Sequence, residues 1–72
     1  MSDRKILSRI GSRIRKIRSD KEMTQYELAV RCEFEKASMS RIESGQTNST
    51  ILTLYKVSRA LDVHFVDLFH DC

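Results

Sequence analysis

A chain of 72 residues suits one small domain rather than two, so residues 1–72 are expected to fold as a single unit. Proline is absent, glycine occurs twice and 32% of residues are charged. That composition argues against a turn-rich sandwich or barrel and for short helices joined by tight turns. The longest apolar run, Leu28-Ala29-Val30, is far too short for a membrane span or a secretory core. Cys32 and Cys72 lie far apart with no CxxC, which fits reduced thiols in a cytoplasmic protein.

Charge is unevenly spread. Eight of the 13 basic residues fall in the first 21 positions: Arg4, Lys5, Arg9, Arg13, Arg15, Lys16, Arg18 and Lys21. Only Asp3 and Asp20 oppose them there. From residue 37 onward Arg41, Lys56 and Arg59 face Glu43, Asp62, Asp67 and Asp71. A basic end and a mildly acidic end point to a polyanion on one side, against the plainer reading of a solvated basic helix face.

In the first segment Ile6, Ile10, Ile14 and Ile17 recur at helical spacing, so they mark one apolar face, and Asp20-Lys21 ends the helix. Thr24 is an N-cap and Glu27, three residues on, completes a capping box for a second helix running to about Cys32. Glu33-Phe34 is a turn, with Phe34 as the plug between two helices and Cys32 as a small core hydrophobe. A third helix spans about Glu35 to Ser44, with Met39 and Ile42 inward and Lys36, Ala37, Ser40 and Arg41 outward or sideways. Gly45 stops it as a left-handed cap. After the polar loop Gln46-Thr47-Asn48, Ser49 or Thr50 caps a fourth helix whose inward face is Ile51, Leu54, Val57 and Leu61. Asp62-Val63 breaks it, and His64 to Phe69 leaves room for a short fifth helix.

The second and third helices, joined by a turn of a few residues, form a helix-turn-helix. In that arrangement the first helix braces on the DNA backbone and the second lies in the major groove, which admits a helix and carries the full base code. The blocks Thr24-Gln25-Tyr26-Glu27-Leu28-Ala29, Met39-Ser40-Arg41-Ile42-Glu43-Ser44-Gly45, Ala60-Leu61-Asp62-Val63 and Leu68-Phe69 resemble the Cro/repressor-type (XRE-like) helix-turn-helix family. The resemblance covers about residues 8–69 and extends to single-domain members such as restriction–modification controller proteins.

The resemblance implies an all-α, five-helix bundle of the lambda-repressor-like kind and a homodimer on double-stranded DNA. It matches Lys36, Ala37 and Arg41 to base-reading positions, and Ser44, Gln46 and Asn48 to a phosphate-holding loop. Gln25 would bond a phosphate and brace a residue of the recognition helix. Thr24 and Ser38 complete the expected phosphate set. Arg18 and Glu43 match a pair that ties helix one to the end of helix three. Three positions depart from the pattern: Glu33 where Gly is usual, Glu35 where Ser or Thr caps the recognition helix, and Ser49 where Pro is common.

Other chemistry finds little footing. His64, His70 and Cys72 match no standard metal spacing, so no metal and no cofactor are expected. Tyr26 and Tyr55 have no base beside them, and no paired carboxylates, Gly-rich phosphate loop or nucleophile elbow is present, so an enzyme is not expected. Leu52, Tyr55, Phe65 and Val66 remain as an apolar set beyond the core's needs, set apart from basic helix one. They suggest a dimer surface. The expected function is a sequence-specific transcriptional regulator, an autoregulator or repressor, on a palindromic operator. The alternative is an antitoxin-like or coactivator-like module whose main partner is another protein.

Overall fold

A computed structural model describes residues 3–70. It contains α1 (Asp3–Asp20), α2 (Gln25–Cys32), α3 (Lys36–Ser44), α4 (Ile51–Leu61) and a closing 3-10 helix (Phe65–Phe69). The expected fifth α-helix is therefore a correction: among the described residues there are four α-helices, and the last segment is a single tight 3-10 stretch. Its length explains this. Five residues allow almost no α-type bonds, whereas the tighter winding closes at once through the Asp67 N–H to the His64 carbonyl at 2.9 Å. The Asp67 carboxylate also accepts from the His64 backbone N–H at 3.2 Å. Between them Leu68 drops into the core with no exposed surface.

Ile10, Ile14 and Ile17 of α1 meet Leu28 and Ala29 of α2, Met39 and Ile42 of α3, and Leu54, Val57 and Leu61 of α4 in one cluster. Cys32 is part of it. Burial pushes its thiol pKa up to about 11, partly offset by the charge of Lys56, so it behaves as a core-filling group. Phe34 packs half-buried against the cluster at the α2–α3 turn. Two residues expected to face inward do not. Ile6 is 39% exposed and Ile51 69% exposed, because each stands one turn before the buried stripe of its helix begins, at Ile10 and Leu54. Ser58 takes the buried place seven residues after Ile51, its hydroxyl donating to the Tyr55 carbonyl at 2.7 Å.

Helix ends follow local chemistry. At α2 Thr24 Oγ1 accepts from the Glu27 N–H at 3.0 Å, and Glu27 Oε1 accepts from the Thr24 N–H at 3.3 Å. Thr50, not Ser49, caps α4, accepting from the Thr53 N–H at 3.1 Å. Glu35 precedes α3 rather than opening it, and makes no side-chain cap bond. Each α-helix closes through a residue with positive φ: Glu22 (56°), Glu33 (61°), Gly45 (74°) and Asp62 (57°). Left-handed backbone costs a residue with a Cβ roughly 1–2 kcal/mol, so three of these caps carry strain that glycine would relieve.

The two glycines stand instead where α1 and α3 touch backbone to backbone. A Cβ on Gly11 would lie 2.5 Å from the Ile42 carbonyl oxygen and nearer still to that of Glu43. A Cβ on Gly45 would lie 2.6 Å from Ser8 Cα. Gly11→Ala must therefore push α3 off α1. The expected loss is about 1–3 kcal/mol, typical of overpacking, read as a lower midpoint in thermal or urea unfolding.

Candidate nucleic-acid interface

The turn between α2 and α3 is three residues, Glu33 to Glu35. Its geometry comes from the α2 cap: the Glu33 N–H reaches the Val30 carbonyl at 3.1 Å and the Phe34 N–H the Ala29 carbonyl at 2.8 Å. The chain then enters α3, whose buried side is Met39, Ile42 and Glu43. Lys36, Ala37, Ser40, Arg41 and Ser44 are exposed on the other side.

Glu43 is the singular member of the buried side. Its carboxylate has no exposed side-chain surface. Arg18 of α1 donates to it twice, Nε to Oε2 at 2.7 Å and Nη2 to Oε1 at 3.0 Å. Arg18 Nη1 also donates to the Met23 carbonyl at 2.8 Å. Gln25 Nε2 donates to Oε1 at 3.1 Å, and Arg15 Nε approaches the same oxygen at 3.5 Å. One carboxylate thus gathers donors from α1 and α2 while it rides on α3. A bidentate arginine is the strongest common partner for a buried carboxylate, and the geometry leaves it no rotational choice. The sequence reading paired Arg18 with Glu43 but missed Arg15, whose spacing of three from Arg18 was the available sign.

The remaining singled-out residues occupy two regions. Lys36, Ala37 and Arg41 share the exposed face of α3. Ser38, half-buried, lines a shallow groove of about 170 Å³ with Arg41, Asn48, Thr47, Ser49, Thr50 and Thr53. Gln46 is exposed at the start of that loop. Thr24 and Gln25 stand apart, at the N-terminus of α2. Two side chains of the expected phosphate set are already engaged. The Gln25 amide holds Glu43, and the Ser44 hydroxyl donates to the Ser40 carbonyl at 2.9 Å. What Gln25 has to offer a phosphate lies at the helix start, where the first N–H groups of any helix lack intrahelical partners.

The apolar set gathers at another place. Leu52, Tyr55 and Val66 are exposed, by 63%, 47% and 70%, and exposed Ile51 adjoins them. Tyr55 and Phe65 stack in a tilted contact at 6.2 Å, and Phe65 meets Phe69 edge-on at 4.9 Å. Phe65 therefore serves both the core and the patch. The sequence reading set this patch apart from helix one, yet the 3-10 helix that carries Phe65 and Val66 packs on it. Arg13 Nε donates to the Asp67 carbonyl at 2.9 Å and docks the 3-10 helix on α1. Of the dismissed metal trio, His64 is exposed at the start of the 3-10 helix and Cys72 lies outside the described residues. No helix among the described residues is long and apolar enough to cross a membrane.

Two short helices across a tight turn, the second bearing a polar outer row, define a helix-turn-helix module. The helix-turn-helix family profile matches residues 14–68, and the chain belongs to that family. An uncharacterized HTH-type transcriptional regulator, y4dJ, of Sinorhizobium fredii is 37% identical over 59 residues, spanning 82% of this chain and 77% of its own. Control protein C.MunI of a Mycoplasma species is 32% identical over 72 residues, 99% of this chain and 95% of that one. Among solved structures, the restriction–modification controller protein C.Esp1396I, crystallised as a tetramer with its natural 35-base-pair operator, is 35% identical. It superposes with a TM-score of 0.82 over 90% of this chain and 86% of that chain.

Removing the guanidinium strands a buried charge. Arg18→Ala is expected to cost about 3 kcal/mol, the lower end of the range for breaking a buried pair, because Arg18 keeps some contact with water. Arg18→Lys should recover only part of it, since an ammonium cannot make the paired bonds. Denaturant unfolding of both variants beside wild type measures this. A wild-type midpoint for Arg18→Ala would remove the assignment.

Proposed function

We propose that the chain is a sequence-specific DNA-binding transcriptional regulator. It acts in the cytoplasm as a homodimer on a palindromic or near-palindromic operator, without a cofactor and without catalysis. The observation that carries this reading is α3 itself: an exposed row of Lys36, Ala37, Ser40 and Arg41 on a helix anchored from beneath through Glu43. A helix that reads bases must enter the major groove in one orientation, and a buried three-helix clamp supplies that rigidity. Kinship with control protein C.MunI and with the operator-bound controller C.Esp1396I supports an autoregulatory role, as repressor of its own operon.

In this reading Arg41 makes two bonds to a guanine edge, Lys36 reads or steadies a neighbouring position, and Ala37 meets a thymine methyl. Thr24, Gln25, Ser38, Ser44, Gln46 and Asn48 hold phosphates and set the register. Ser44 does so after its hydroxyl turns from the Ser40 carbonyl. Glu35 is the one carboxylate at the mouth of the recognition helix and accepts from a cytosine amino group. A mobility-shift titration with the DNA upstream of the chain's own gene tests the reading. Tight retention that collapses with added salt supports it, and equal affinity for unrelated DNA refutes sequence specificity. Arg41→Ala should lower operator affinity by about 1–3 kcal/mol and relax preference at one base position.

Dimerisation joins two recognition helices on half-sites about 34–36 Å apart. Leu52, Tyr55, Phe65 and Val66, extended by Ile51, form the proposed interface. An exposed apolar cluster with an aromatic pair at its centre has the composition of an interface core. Leu52→Glu/Val66→Glu should give a folded monomer by sedimentation velocity, with much weaker operator binding. A wild type that stays monomeric at high micromolar concentration overturns the dimer, and a double variant that still dimerises moves the interface elsewhere.

A further inference from the structure

A basic row on α1 takes no part in the helix-turn-helix face. Lys5, Arg9, Arg13 and Lys16 recur every three or four residues, along a flank of the helix beside the buried Ile10, Ile14 and Ile17. With Ser8, Ser12 and His70 they line a shallow groove of about 470 Å³. Among the described residues no carboxylate lines it. Lys16 does meet Asp20 at 3.4 Å, but both side chains are mostly exposed, and such a pair yields readily to a stronger anion. Arg13 is anchored through Nε on the Asp67 carbonyl, which fixes one cation of the row in place.

The ridge is separate from the helix-turn-helix face. The side of α1 that meets α3 is made by Gly11, Arg15 and Arg18, through the glycine contact and the Glu43 clamp, with Ser8 on the border between the two. The ridge is centred on another side, outward from the core. Its chemistry also discriminates between partners. Protein interfaces are organised around aromatic or aliphatic anchors, and this groove has none. It offers cations interleaved with hydroxyls along a straight helix, which is the equipment for gripping a sugar–phosphate backbone without reading sequence.

We propose that the outer face of α1 is a second, sequence-independent DNA surface that holds a duplex segment other than the one engaged by α3. A dimer would then carry two such ridges and tether its operator to a second length of DNA. The inference goes beyond the proposed operator binding, and its test separates the two.

Full-length protein is tethered to beads through a terminal biotin and loaded with one equivalent per dimer of operator duplex carrying one dye, so that the tighter site fills first. Non-operator duplex carrying a second dye follows. Wild type should retain both dyes. Lys5→Gln/Arg9→Gln/Lys16→Gln should keep the first dye and lose the second at least tenfold. Lys36→Gln/Arg41→Gln should keep the second dye and lose the preference for operator over non-operator duplex. Each neutralised phosphate contributes about −0.9 to the log–log salt slope, so the ridge variant should flatten the slope for the second duplex by about 2.7. The charge-conserving variant Lys5→Arg/Arg9→Lys/Lys16→Arg must behave as wild type. Failure of wild type to hold the second dye overturns the proposal, as does loss of both dyes together in the ridge variant. Displacement of the second duplex by polyglutamate as readily as by DNA also overturns it, in favour of an acidic protein partner.

Discussion

The buried carboxylate of Glu43 sets a condition that the surrounding helices must meet together. A charge without access to water is tolerable only if donors surround it, and here they arrive from separate parts of the chain: Arg18 and Arg15 on α1, and Gln25 at the start of α2. None of these partners is near in sequence. The clamp therefore forms only when the three helices have already docked, and it penalises every arrangement in which one of them is rotated or shifted. Its value lies less in net stability, which buried ion pairs often fail to add, than in specifying one orientation of α3. Arg18 extends the same logic to the α1–α2 turn by holding the Met23 carbonyl.

Close approach of α1 and α3 complements the clamp. Ion pairs fix direction, while the glycines fix distance. With Gly11 facing the carbonyls at the end of α3 and Gly45 against the backbone of Ser8, the two helices meet without intervening side chains. The C-terminal half of the recognition helix is held firmly, and its exposed row is carried as a rigid projection. The opposite end is looser, since Glu35 offers α3 no side-chain cap bond.

Much of this was legible in the residues. Periodicity located the four helices, the Thr24–Glu27 box marked the start of α2, and Gly45 marked the end of α3. Ile51 and Ile6 misled because helical spacing reports a face but not where along the helix burial begins. The last segment misled because a short run with apolar residues reads alike for α and 3-10 winding, and only the Asp67 cap and the Leu68 anchor decide. In the candidate interface, the outward residues of α3 followed from spacing alone. The brace from Gln25 to α3 came only through the family resemblance, because side-chain bonds across helices leave no periodic trace, and the bond of the Ser44 hydroxyl to the Ser40 carbonyl one turn back was not foreseen. Arg13 on the Asp67 carbonyl is the same kind of contact, and it holds the 3-10 helix against α1.

The three left-handed caps without glycine have a consequence for how long the molecule persists in a cell. Glu22, Glu33 and Asp62 each hold the backbone where a Cβ is unwelcome, and none of them lies on the outer row of α3. The strain at Glu22 and Asp62 is therefore separable from recognition, whereas Glu33 also shapes the turn that leads into α3. About 1 kcal/mol withheld from a small domain raises its unfolded fraction roughly fivefold, and proteases and chaperones act on that fraction. A chain so capped spends more of its time open to proteases than one with glycine at the same positions. Substitution at these caps offers a way to lengthen or shorten its lifetime while the DNA-facing residues stay as they are.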